Sequence, residues 1–467
     1  MLRALTLLLL LAALPLWARE VAVTPGQGTL ANAIAGASPG DVLKLAPGRY
    51  QGAVVIDRPL AILGPAGAVR DATATGTAET GTAETGAPAR GAAIIDGMGR
   101  GTVVTIAAAD VTISGVTVTG SGLSNPDLDA GIKILKKADR ALVAGNRVLG
   151  NLHGVDVHGG RDAIVRGNTI EGTQTPRMNE RGNGIYVWNS PGTVVEGNTV
   201  RWGRDGIFSN ASRDGIYRGN LFRDLRFAVH YMYTNNSEVS GNVSIGNHLG
   251  YAIMFSDKVI LRDNQSLSDR SYGVMLNYAN NSDVSGNLVR GGANRCTFIY
   301  NSHKNLIFGN RFEGCAIGIH FTAGSERNVL TGNAFIGNRE QVKYVGTRDV
   351  EWSFEGRGNY WSDHAAFDLD GNGIADSAFR PNDLMDHILW SQPAAALLMG
   401  SPAVQLVRWS QSSFPAILPG GVVDSAPLMV PPDIPVAPKY AAMAAKAAAR
   451  RPKGLNDDSD ADNLGTH

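Results

Sequence analysis

Residues 194–200 read VVEGNTV, and the pattern returns as IYRGNLF at residues 216–222 and as EVSGNVS at residues 238–244. Each segment holds a Gly-Asn pair, with an apolar or aromatic residue two positions before the Gly. The interval of 22 residues is too short for repeats that contain two helices and suits one coil of a parallel β-helix. Such pairs begin at residues 145, 167, 197, 219, 241, 286, 309 and 332, and Asp263-Asn264 takes the vacant position.

The Gly-Asn pair marks a tight turn between two strands of one coil. Gly reaches positive φ without steric strain, and Asn also tolerates left-handed backbone. Asn side chains stacked in register can form amide hydrogen bonds from coil to coil. The sequence therefore predicts an all-β fold, a right-handed parallel β-helix, with an N-terminal helical cap and a C-terminal extension that docks on a partner.

The two ends of the chain differ from the repeats. Arg3, the apolar run 5–14 and Ala18 are typical of a secretory signal peptide. Thr29 is predicted to N-cap a short helix over residues 30–37 that covers the first coil. The predicted segments are a signal peptide at 1–18, a cap and first coil at 19–60, a parallel β-helix at 61–345 with a disordered insertion at 71–91, a C-terminal extension at 346–430 and a disordered tail at 431–467.

Composition agrees with a solenoid and narrows the range of partners. Gly makes up 57 of 467 residues, about 12% against a usual ~7%, as expected of a chain with many turns. The 42 basic and 42 acidic residues leave no basic surplus, so no nucleic acid partner is expected. Cys296 and Cys315 are permitted to form a disulfide in an exported protein, and they fit equally well as two small buried apolar residues.

A second Gly in each coil opens another strand of alternating apolar residues, as in residues 154–157, GVDV. Residues one and three positions after this Gly are expected to face the core, and those two and four positions after it to face outward. Ala228, Ala252 and Thr297 are taken to occupy the Gly position of their coils. The two outward columns then hold Asp156, Tyr186, Phe208, His230, Met254, Met275, Ile299 and His320, and His158, Trp188, Asn210, Met232, Ser256, Asn277, Asn301 and Thr322.

This outward face is richer in Met, His and aromatic residues than a solvated sheet requires. Thioether and imidazole groups select Cu(I) over hard cations, so one interpretation is a Cu(I) site. The other is an adaptable Met-rich surface that packs against a partner or a covering loop. Because neighbouring coils lie about 4.8 Å apart, His230, Met254 and Met275 are expected on three consecutive coils. The candidate Cu(I) ligands are His230, Met232, Met254, Met275 and His320.

Exported β-helices also include polysaccharide lyases and glycosidases, which hold carboxylates on one outer face. The carboxylates to consider are Asp156, Asp205 and Asp214, but Asp156 has no acidic neighbour in its column. An Asp beside a Gly is more often a turn residue. An exported carbohydrate-binding or polysaccharide-degrading β-helix protein is therefore the alternative function, and no catalytic residue is predicted.

The repeat stops after residue 345, and a polar run, DLDGNGIAD, follows at residues 368–376. Oxygen ligands at alternate positions with Gly at the sixth suit a Ca²⁺ loop. Position twelve is Phe379 rather than a bidentate Glu, so a structural calcium site and a turn rich in Asp and Asn are equal alternatives. The candidate calcium ligands are Asp368, Asp370, Asn372 and Asp376.

Residues 386–417 are apolar and are interrupted by Pro402. The stretch is too short and too broken to span a bilayer. Its position outside the repeat suggests helices that dock on a partner or on a membrane surface, and the alternative is that they cap the last coil. The candidate partner-binding residues are Trp390, Leu397, Leu398, Met399, Val407 and Trp409.

Several of these features together resemble the NosD family, periplasmic proteins that mature the copper sites of nitrous oxide reductase. The resemblance covers roughly residues 20–430. The coils alone are shared with many β-helices, and the C-terminal segments make the resemblance specific. The features are the signal peptide, the coils, GNYWSD at 358–363, DLDGNGIAD at 368–376 and LMDHILWSQPAAALLMGSPAVQLV at 384–407.

The resemblance implies a non-enzymatic accessory protein in the periplasm, held at the inner membrane through an ABC-transporter-type complex. The implied partners are a membrane permease and its ATPase, a membrane-anchored copper chaperone and apo nitrous oxide reductase. Copper, as transient Cu(I), would pass between the chaperone and the enzyme, and residues 386–417 would dock on the permease. ATP hydrolysis would belong to the partner, since this chain has no P-loop.

Overall fold

The computed structural model of the chain describes residues 18–65, 91–292, 294–322, 324–346, 348–382, 384–398, 401–413 and 421–450. The predicted signal peptide, apart from Ala18, and the predicted insertion at 71–91, apart from Gly91, lie outside the described residues. The described part is a parallel β-solenoid whose longest sheet has 14 strands. The prediction of an all-β parallel β-helix is confirmed.

Three long sheets, here called A, B and C, run along the solenoid, and a typical coil gives one strand to each. Sheet A consists of Glu20–Val23, Val42–Leu45, Ala61–Leu63, Thr112–Ser114, Leu142–Ala144, Ile164–Arg166, Val194–Glu196, Ile216–Arg218, Glu238–Ser240, Ile260–Arg262, Asp283–Ser285, Leu306–Phe308 and Val329–Thr331. Sheet B consists of Gly26–Gln27, Gly48–Gln51, Ala93–Asp96, Thr117–Thr119, Arg147–Asn151, Thr169–Gly172, Thr199–Arg201, Leu221–Arg223, Val243–Ile245, Gln265–Leu267, Leu288–Arg290, Arg311–Glu313, Ala334–Ile336 and Tyr360–Trp361. Sheet C consists of Val54–Ile56, Val104–Ile106, Ala130–Ile134, His153–His158, Ile185–Trp188, Asp205–Asn210, Phe227–Met232, Leu249–Met254, Tyr272–Asn277, Arg295–Tyr300, Ile317–Thr322 and Glu340–Val345.

The Gly-Asn turns join sheet A to sheet B, and each residue of the pair has its own task. The Gly residues of the pairs have φ between 60° and 67°, and Asp263, with φ 57°, adopts the same conformation in the vacant position. The Asn residues are not left-handed. Their side chains turn inward, where those of Asn146, Asn220 and Asn242 are almost completely buried.

The buried Asn side chains form one continuous hydrogen-bonded ladder, as the sequence predicts. The Oδ1 atom of Asn220 accepts from the backbone N–H and from Nδ2 of Asn198 at 2.9 and 3.0 Å. Its Nδ2 donates to the Val195 carbonyl at 3.0 Å and to Oδ1 of Asn242 at 2.9 Å. The same pattern continues to Asn359 in the last coil. The ladder thereby gives backbone polar groups at the turn partners within the protein.

A short helix, α1 (Thr29–Ala35), packs Leu30 and Ile34 over the open end of the first coils. The prediction of a helical cap is confirmed, but the predicted N-cap is wrong. Gly28, with φ 69°, occupies the N-cap position and makes no side-chain cap. Thr29 is the first helical residue, and its hydroxyl donates to the Gly26 carbonyl at 3.2 Å.

Cys296 and Cys315 form a disulfide, with their Cα atoms 5.6 Å apart. Both residues are buried in the main core. The two alternatives raised by the sequence, a disulfide and a pair of small buried apolar residues, are therefore both correct.

The last coil is closed by residues that lie far apart in the sequence. Asn359 ends the ladder, and Trp361 stacks on Phe335 with ring centroids 4.5 Å apart. Asp424 is fully buried and accepts from Nε1 of Trp361 at 2.8 Å and from the backbone N–H of Asn359 at 2.7 Å. Burial raises the pKa of Asp424 despite these hydrogen bonds. The carboxyl group thus ties the extension to the end of the solenoid.

The extension contains a two-stranded parallel sheet, Asp349–Glu351 with Gly421–Val423, and three helical segments. These are α2 (Leu384–Ser391), a 3-10 helix (Pro393–Leu398) and α3 (Pro402–Ser413). Met385 of α2 and Val404 of α3 are buried. Within the described ranges, no helix has the length and apolar character needed to cross a bilayer.

The prediction of a disordered tail from residue 431 is wrong for residues 431–450. Residues 434–449, here called the strap, include helix α4 (Pro438–Ala449) and lie on the outer side of sheet B. Apolar side chains outweigh the Ala- and Pro-rich composition and bury the sheet residues beneath them. The strap residues Ile434, Val436, Tyr440, Met443, Ala444 and Ala447 pack against Leu221, Val243, Ile245, Leu267 and Leu288. Residues 451–467 lie outside the described residues.

Candidate functional site

The outward side chains of sheet C form the face on which the predicted copper site lies. Inward residues such as Val155 and Val157 belong to the core, so the predicted alternation is confirmed. The first outward column reads Lys133, Asp156, Tyr186, Phe208, His230, Ala252, Met275, Phe298, His320 and Lys343. The second reads His158, Trp188, Asn210, Met232, Met254, Asn277 and Tyr300.

His230, Met254 and Met275 lie on three consecutive coils, as predicted, but the prediction that they share one column is wrong. Ala252 pairs with His230 on one side and with Met275 on the other. Met254 instead pairs with Met232 in the second column. The two Met residues of that column are therefore direct neighbours on adjacent coils, and His230 lies two residues before Met232 on one strand.

The error comes from two coils in which the Gly position was misassigned. Gly250, not Ala252, occupies that position, because a Cβ atom at Gly250 would collide with the carbonyl oxygen of Gly273 on the next coil. Two coils further on, Cys296, not Thr297, takes the position, because Thr297 pairs with Val274, the residue after Gly273. Each shift by one or two residues moves every outward side chain of that strand.

His230, Met232, Met254 and Met275, here called the Met/His patch, lie in an apolar cluster separate from the solenoid core. His230 is 8% exposed, Met254 6% and Met275 3%, whereas Met232 is half-buried. The patch is therefore a largely dry surface in which polar ligand atoms are scarce. The apolar cluster consists of Phe227, Leu249, Ala252, Met254, Tyr272 and Met275, with Met232, Phe255 and Phe298 at its edge.

The ring of His230 is oriented by a carboxylate. Its Nδ1 atom lies 3.2 Å from Oδ2 of Asp205, and the ring stacks on Phe208 with centroids 4.7 Å apart. A carboxylate accepts hydrogen bonds, so the proton of the neutral ring is on Nδ1. Nε2 then carries the lone pair, and it is buried without a hydrogen-bond partner in the described part of the chain. A carboxylate behind Nδ1 is the usual arrangement of a metal-binding His.

Asp205 is itself held in its charged form. The side chain is fully buried, and Arg226 donates to its two oxygens at 2.8 and 2.7 Å. Burial alone raises the pKa of Asp205, but the charge of Arg226 and the hydrogen bonds from His230 and Arg226 outweigh it and leave the pKa below its usual value. The carboxylate is therefore a fixed acceptor for the His230 ring.

The patch offers soft ligand atoms on the strand of His230 and on the two coils after it. Met232 lies on the same strand as His230, and Met254 is its neighbour on the next coil. Ala252 contributes only a methyl group between His230 and Met275. Thioether sulfur with one imidazole nitrogen suits Cu(I) and fits Mg²⁺ or Ca²⁺ poorly. No group of three or more His, Cys, Asp or Glu residues that could hold a metal ion occurs among the described residues.

The fifth candidate, His320, is not part of the patch. It lies four coils from His230 in the first column, and Phe298 lies between it and Met275. The ring centroids of Phe298 and His320 are 4.9 Å apart. Burial and the charges of Arg295 and Lys343 lower the pKa of His320 to about 3. A site that already carries two cations is a poor place for a third, so the other four candidates form a group without it.

His153 is also a buried His on this face, but its hydrogen bond makes it unsuited to bind a metal. Its Nδ1 atom accepts from the backbone N–H of Asn183 at 3.1 Å, so the proton of the neutral ring is on Nε2. Nε2 is buried and without a partner among the described residues, but it has no lone pair to offer a metal. Burial is the main cause that lowers the pKa of His153 to about 4.

This low pKa predicts an acid-sensitive contribution to stability. Asp156 and Asp129 favour the charged ring of His153, whereas Arg204 and Lys133 oppose it. In the unfolded chain His153 is protonated near pH 6.5, whereas in the folded chain it is protonated only near pH 4. The free energy of unfolding therefore falls as the pH drops from about 6.5 to about 4. The free energy of unfolding of the wild type should fall by about 2 kcal/mol more than that of His153→Asn between about pH 7 and pH 4.5.

Urea unfolding at both pH values measures this difference. In His153→Asn, the amide oxygen keeps an acceptor near the position of Nδ1, and the imidazole that takes up the proton is absent. Equal acid sensitivity in the two proteins would show that His153 is not the buried neutral group described above.

The carboxylates considered for carbohydrate chemistry do not form a pair. Asp156 and Asp205 lie on the same face but two coils apart, which is about 9.6 Å of rise. Asp156 lies 3.4 Å from Nζ of Lys133, and Asp205 is held by Arg226. Asp214, with φ 58°, is at a turn. No two of these carboxyl groups flank a common space.

The predicted calcium loop is a network of turns. Both oxygens of Asp368 accept backbone N–H groups, from Gly371 at 2.7 Å and from Gly373 at 2.8 Å. These bonds, the one from Gly373 foremost, lower the pKa of Asp368. Asp370 accepts from Nδ2 of Asn372 at 2.8 Å, and Asp376 accepts from the Leu369 N–H at 2.7 Å. The oxygen atoms of the candidate calcium ligands thus accept hydrogen bonds from within the loop. Calcium binding stays a prediction.

The candidate partner-binding residues lie in the helical part of the extension. Leu397 and Leu398 end the 3-10 helix and are 91% and 61% exposed, and Trp409 of α3 is 63% exposed. Val407 is half-buried. Trp390 belongs to α2, but its side chain is outside the described part, as is the whole of Met399.

Sequence reasoning missed two carboxyl groups with clear tasks. Asp205 was considered as a turn residue or a catalytic acid, whereas it orients His230 through a contact between coils. Asp424 lies in a segment without a recognisable pattern, yet it bonds Asn359 and Trp361. The only available signal was that each Asp is followed by small residues, which also fits an ordinary turn.

Comparisons with known proteins agree with these features. A family model described as “Periplasmic copper-binding protein (NosD)” matches residues 167–366, and a model described as a protein of unknown function matches residues 24–254. The chain is 39% identical over 400 residues to the “Probable ABC transporter binding protein NosD” of Stutzerimonas stutzeri, a match that covers 83% of this chain and 86% of that relative.

The chain belongs to the NosD family. A Pseudomonas aeruginosa relative with the same description is 40% identical over 398 residues, covering 82% of this chain and 87% of its own length. The resemblance drawn from the sequence is thereby confirmed. The NosD family is described as periplasmic and copper-binding, and these NosD relatives are described as binding proteins of ABC transporters.

Solved structures match the chain at low identity. The DFA-IIIase of Arthrobacter chlorophenolicus A6 in complex with GF2 matches with 16% identity and a TM-score of 0.48, over 70% of this chain and 97% of that one. An alginate lyase from a Paenibacillus species matches with 19% identity and a TM-score of 0.41, over 60% and 97%. These likenesses say nothing about the function of the present chain.

Proposed function

We propose that this protein is a periplasmic, non-enzymatic component of an ABC-transporter-type complex that matures the copper centres of nitrous oxide reductase. It takes Cu(I) as cargo from a membrane-anchored copper chaperone and passes it to the apo-enzyme. Membership of the NosD family supports the periplasmic location and the copper and transporter links. The patch and the extension supply the parts that such a role needs.

The observation that carries the proposal is the free Nε2 atom of His230 among thioether side chains. Asp205 lies on the Nδ1 side of the ring, so in the neutral ring the lone pair for a metal is on Nε2. Met232, Met254 and Met275 add sulfur ligands in a surface of low water content. One nitrogen and a few thioethers favour Cu(I) over other cellular cations, as a carrier of cuprous ion requires.

The extension supports the docking part of the proposal. The 3-10 helix and α3 expose Leu397, Leu398 and Trp409, which are the kinds of side chain that anchor interfaces. We expect the permease to bind this surface, and Val407, Trp390 and Met399 of the same segment stay predicted contacts. ATP hydrolysis then belongs to the ATPase bound to the permease, and this protein contributes binding.

Replacing the three patch Met residues by Leu tests the copper site. Met232→Leu, Met254→Leu and Met275→Leu keep the apolar volume and remove every thioether, so the fold should be retained. We expect the triple variant to bind Cu(I) at least about tenfold more weakly than the wild type. Competition with a chromophoric cuprous chelator, under anaerobic conditions, measures the affinity of the mature protein.

Met98→Leu is the matched control, because Met98 is 56% exposed in an early coil, far from the patch. It should bind Cu(I) as the wild type does. Wild-type protein that fails to compete with the chelator, or a triple variant with unchanged affinity, would remove copper from this face. The protein would then organise its partners without holding metal.

A further inference from the structure

A groove of about 560 Å³ runs along the corner where the strands of sheet C turn toward sheet A. It is lined by the turns of five successive coils, which begin at Lys136, Gly159, Asn189, Ala211 and Tyr233. The repeating backbone makes these turns similar in shape, so the character of the groove depends on the side chains at the turns.

The groove is cationic in a chain that has no net charge. Lys136, Lys137, Arg161 and Arg213 line it against a single acidic residue, Asp139. Arg213 has a partner in Asp214 at 3.5 Å, whereas Lys136, Lys137 and Arg161 make no ion pair within the described ranges. All four cationic side chains are exposed. Unpaired cations gathered in a concave surface produce a local field that attracts anions.

The groove adjoins the Met/His patch. Tyr233, which lines the groove, follows Met232 directly in the chain. Its ring stacks on Phe255 with centroids 5.3 Å apart, and Phe255 follows Met254. A ligand that fills the groove therefore ends beside the two paired Met residues of the patch.

We propose that the groove binds a short acidic segment of the protein that exchanges copper with the patch. The preference for an acidic segment follows from the groove itself, whereas the link to a copper-exchanging partner rests on the proposed function. Complementary charge raises the rate of encounter and fixes the orientation of the bound protein. The cargo-bearing surface of the partner is thereby brought over Met232 and Met254.

A fluorescein-labelled peptide of about eight Asp and Glu residues serves as the probe, and fluorescence anisotropy reports its binding. A Gln-rich peptide of equal length is the neutral control. We expect Lys136→Glu with Arg161→Glu to weaken binding of the acidic peptide by at least about tenfold. Raising NaCl from about 0.05 M to about 0.3 M should also weaken it, because salt screens exposed charges.

Lys258→Glu with Lys304→Glu is the matched control, since both residues are exposed at the same corner in later coils outside the groove. Equal weakening in both double variants, or equal binding of the Gln peptide, would overturn the proposal. Tighter binding after removal of residues 456–467 would assign the groove to the chain's own acidic run instead. Cu(I) affinity measured on the groove variant should be unchanged, which separates failure of the groove from failure of the copper site.

Discussion

Alanine in place of Asn220 is expected to lower the free energy of unfolding by about 4 kcal/mol. The side chain makes four hydrogen bonds inside the solenoid, two with Asn198, one with the Val195 carbonyl and one with Asn242. Each is worth about 1 kcal/mol net, and the loss is larger where a buried donor is left without an acceptor. The backbone N–H and one Nδ2–H of Asn198 lose their acceptor in this variant, whereas the hydrogen bond from Nδ2 to the Val165 carbonyl remains.

Urea unfolding followed by circular dichroism measures the change. Asn125→Ala is the control, because Asn125 is exposed and its side chain donates one hydrogen bond, to Glu180. That variant should differ from the wild type by less than about 1 kcal/mol. A loss of similar size in both variants would mean that the ladder contributes no more than a surface amide does.

The second large effect concerns copper. His230→Asn is expected to weaken Cu(I) binding about 100-fold, since it removes the only nitrogen ligand of the Met/His patch. The Asn side chain can still donate a hydrogen bond to Asp205, so the buried carboxylate keeps that partner. The fold should be preserved, and the loss should reflect the missing Nε2 atom.

Chelator competition on His230→Asn, with His158→Asn as the control, decides this point. His158 lies on the same face, three coils from His230. Its ring stacks on Trp188. The control should keep wild-type affinity. Adding the three Met→Leu changes to His230→Asn should cost less than the sum of the separate losses, because ligands of one ion act together. Strictly additive losses would place the His and the Met residues at different sites.

Much of the fold was predictable because it depends on local rules that repeat. The Gly-Asn interval gave the coil length, and alternation gave the facing of each strand. The register of two strands was not predictable, because Gly250 and Ala252 are both small and either fits the pattern. What separates them is a backbone contact with Gly273 on the next coil, which no local pattern reports.

The candidate site was also predictable where it depends on local patterns and not where it depends on contacts between coils. Soft ligand types in outward positions were visible in the sequence, but the fixed orientation of His230 depends on Asp205 from the previous coil. The strap was missed for a related reason. Its apolar residues, such as Tyr440 and Met443, are separated by Ala and Pro, so they show no regular pattern, and they pack on the outer side of sheet B far away in the sequence.

The strap has a mechanical consequence. Three of the four strands that it covers on sheet B, Leu221–Arg223, Val243–Ile245 and Gln265–Leu267, continue directly into a strand of sheet C that carries part of the Met/His patch. The apolar side chains of the strap pack against Val243, Ile245 and Leu267. Detaching the strap would therefore expose apolar surface on the coils that carry the patch and loosen those coils.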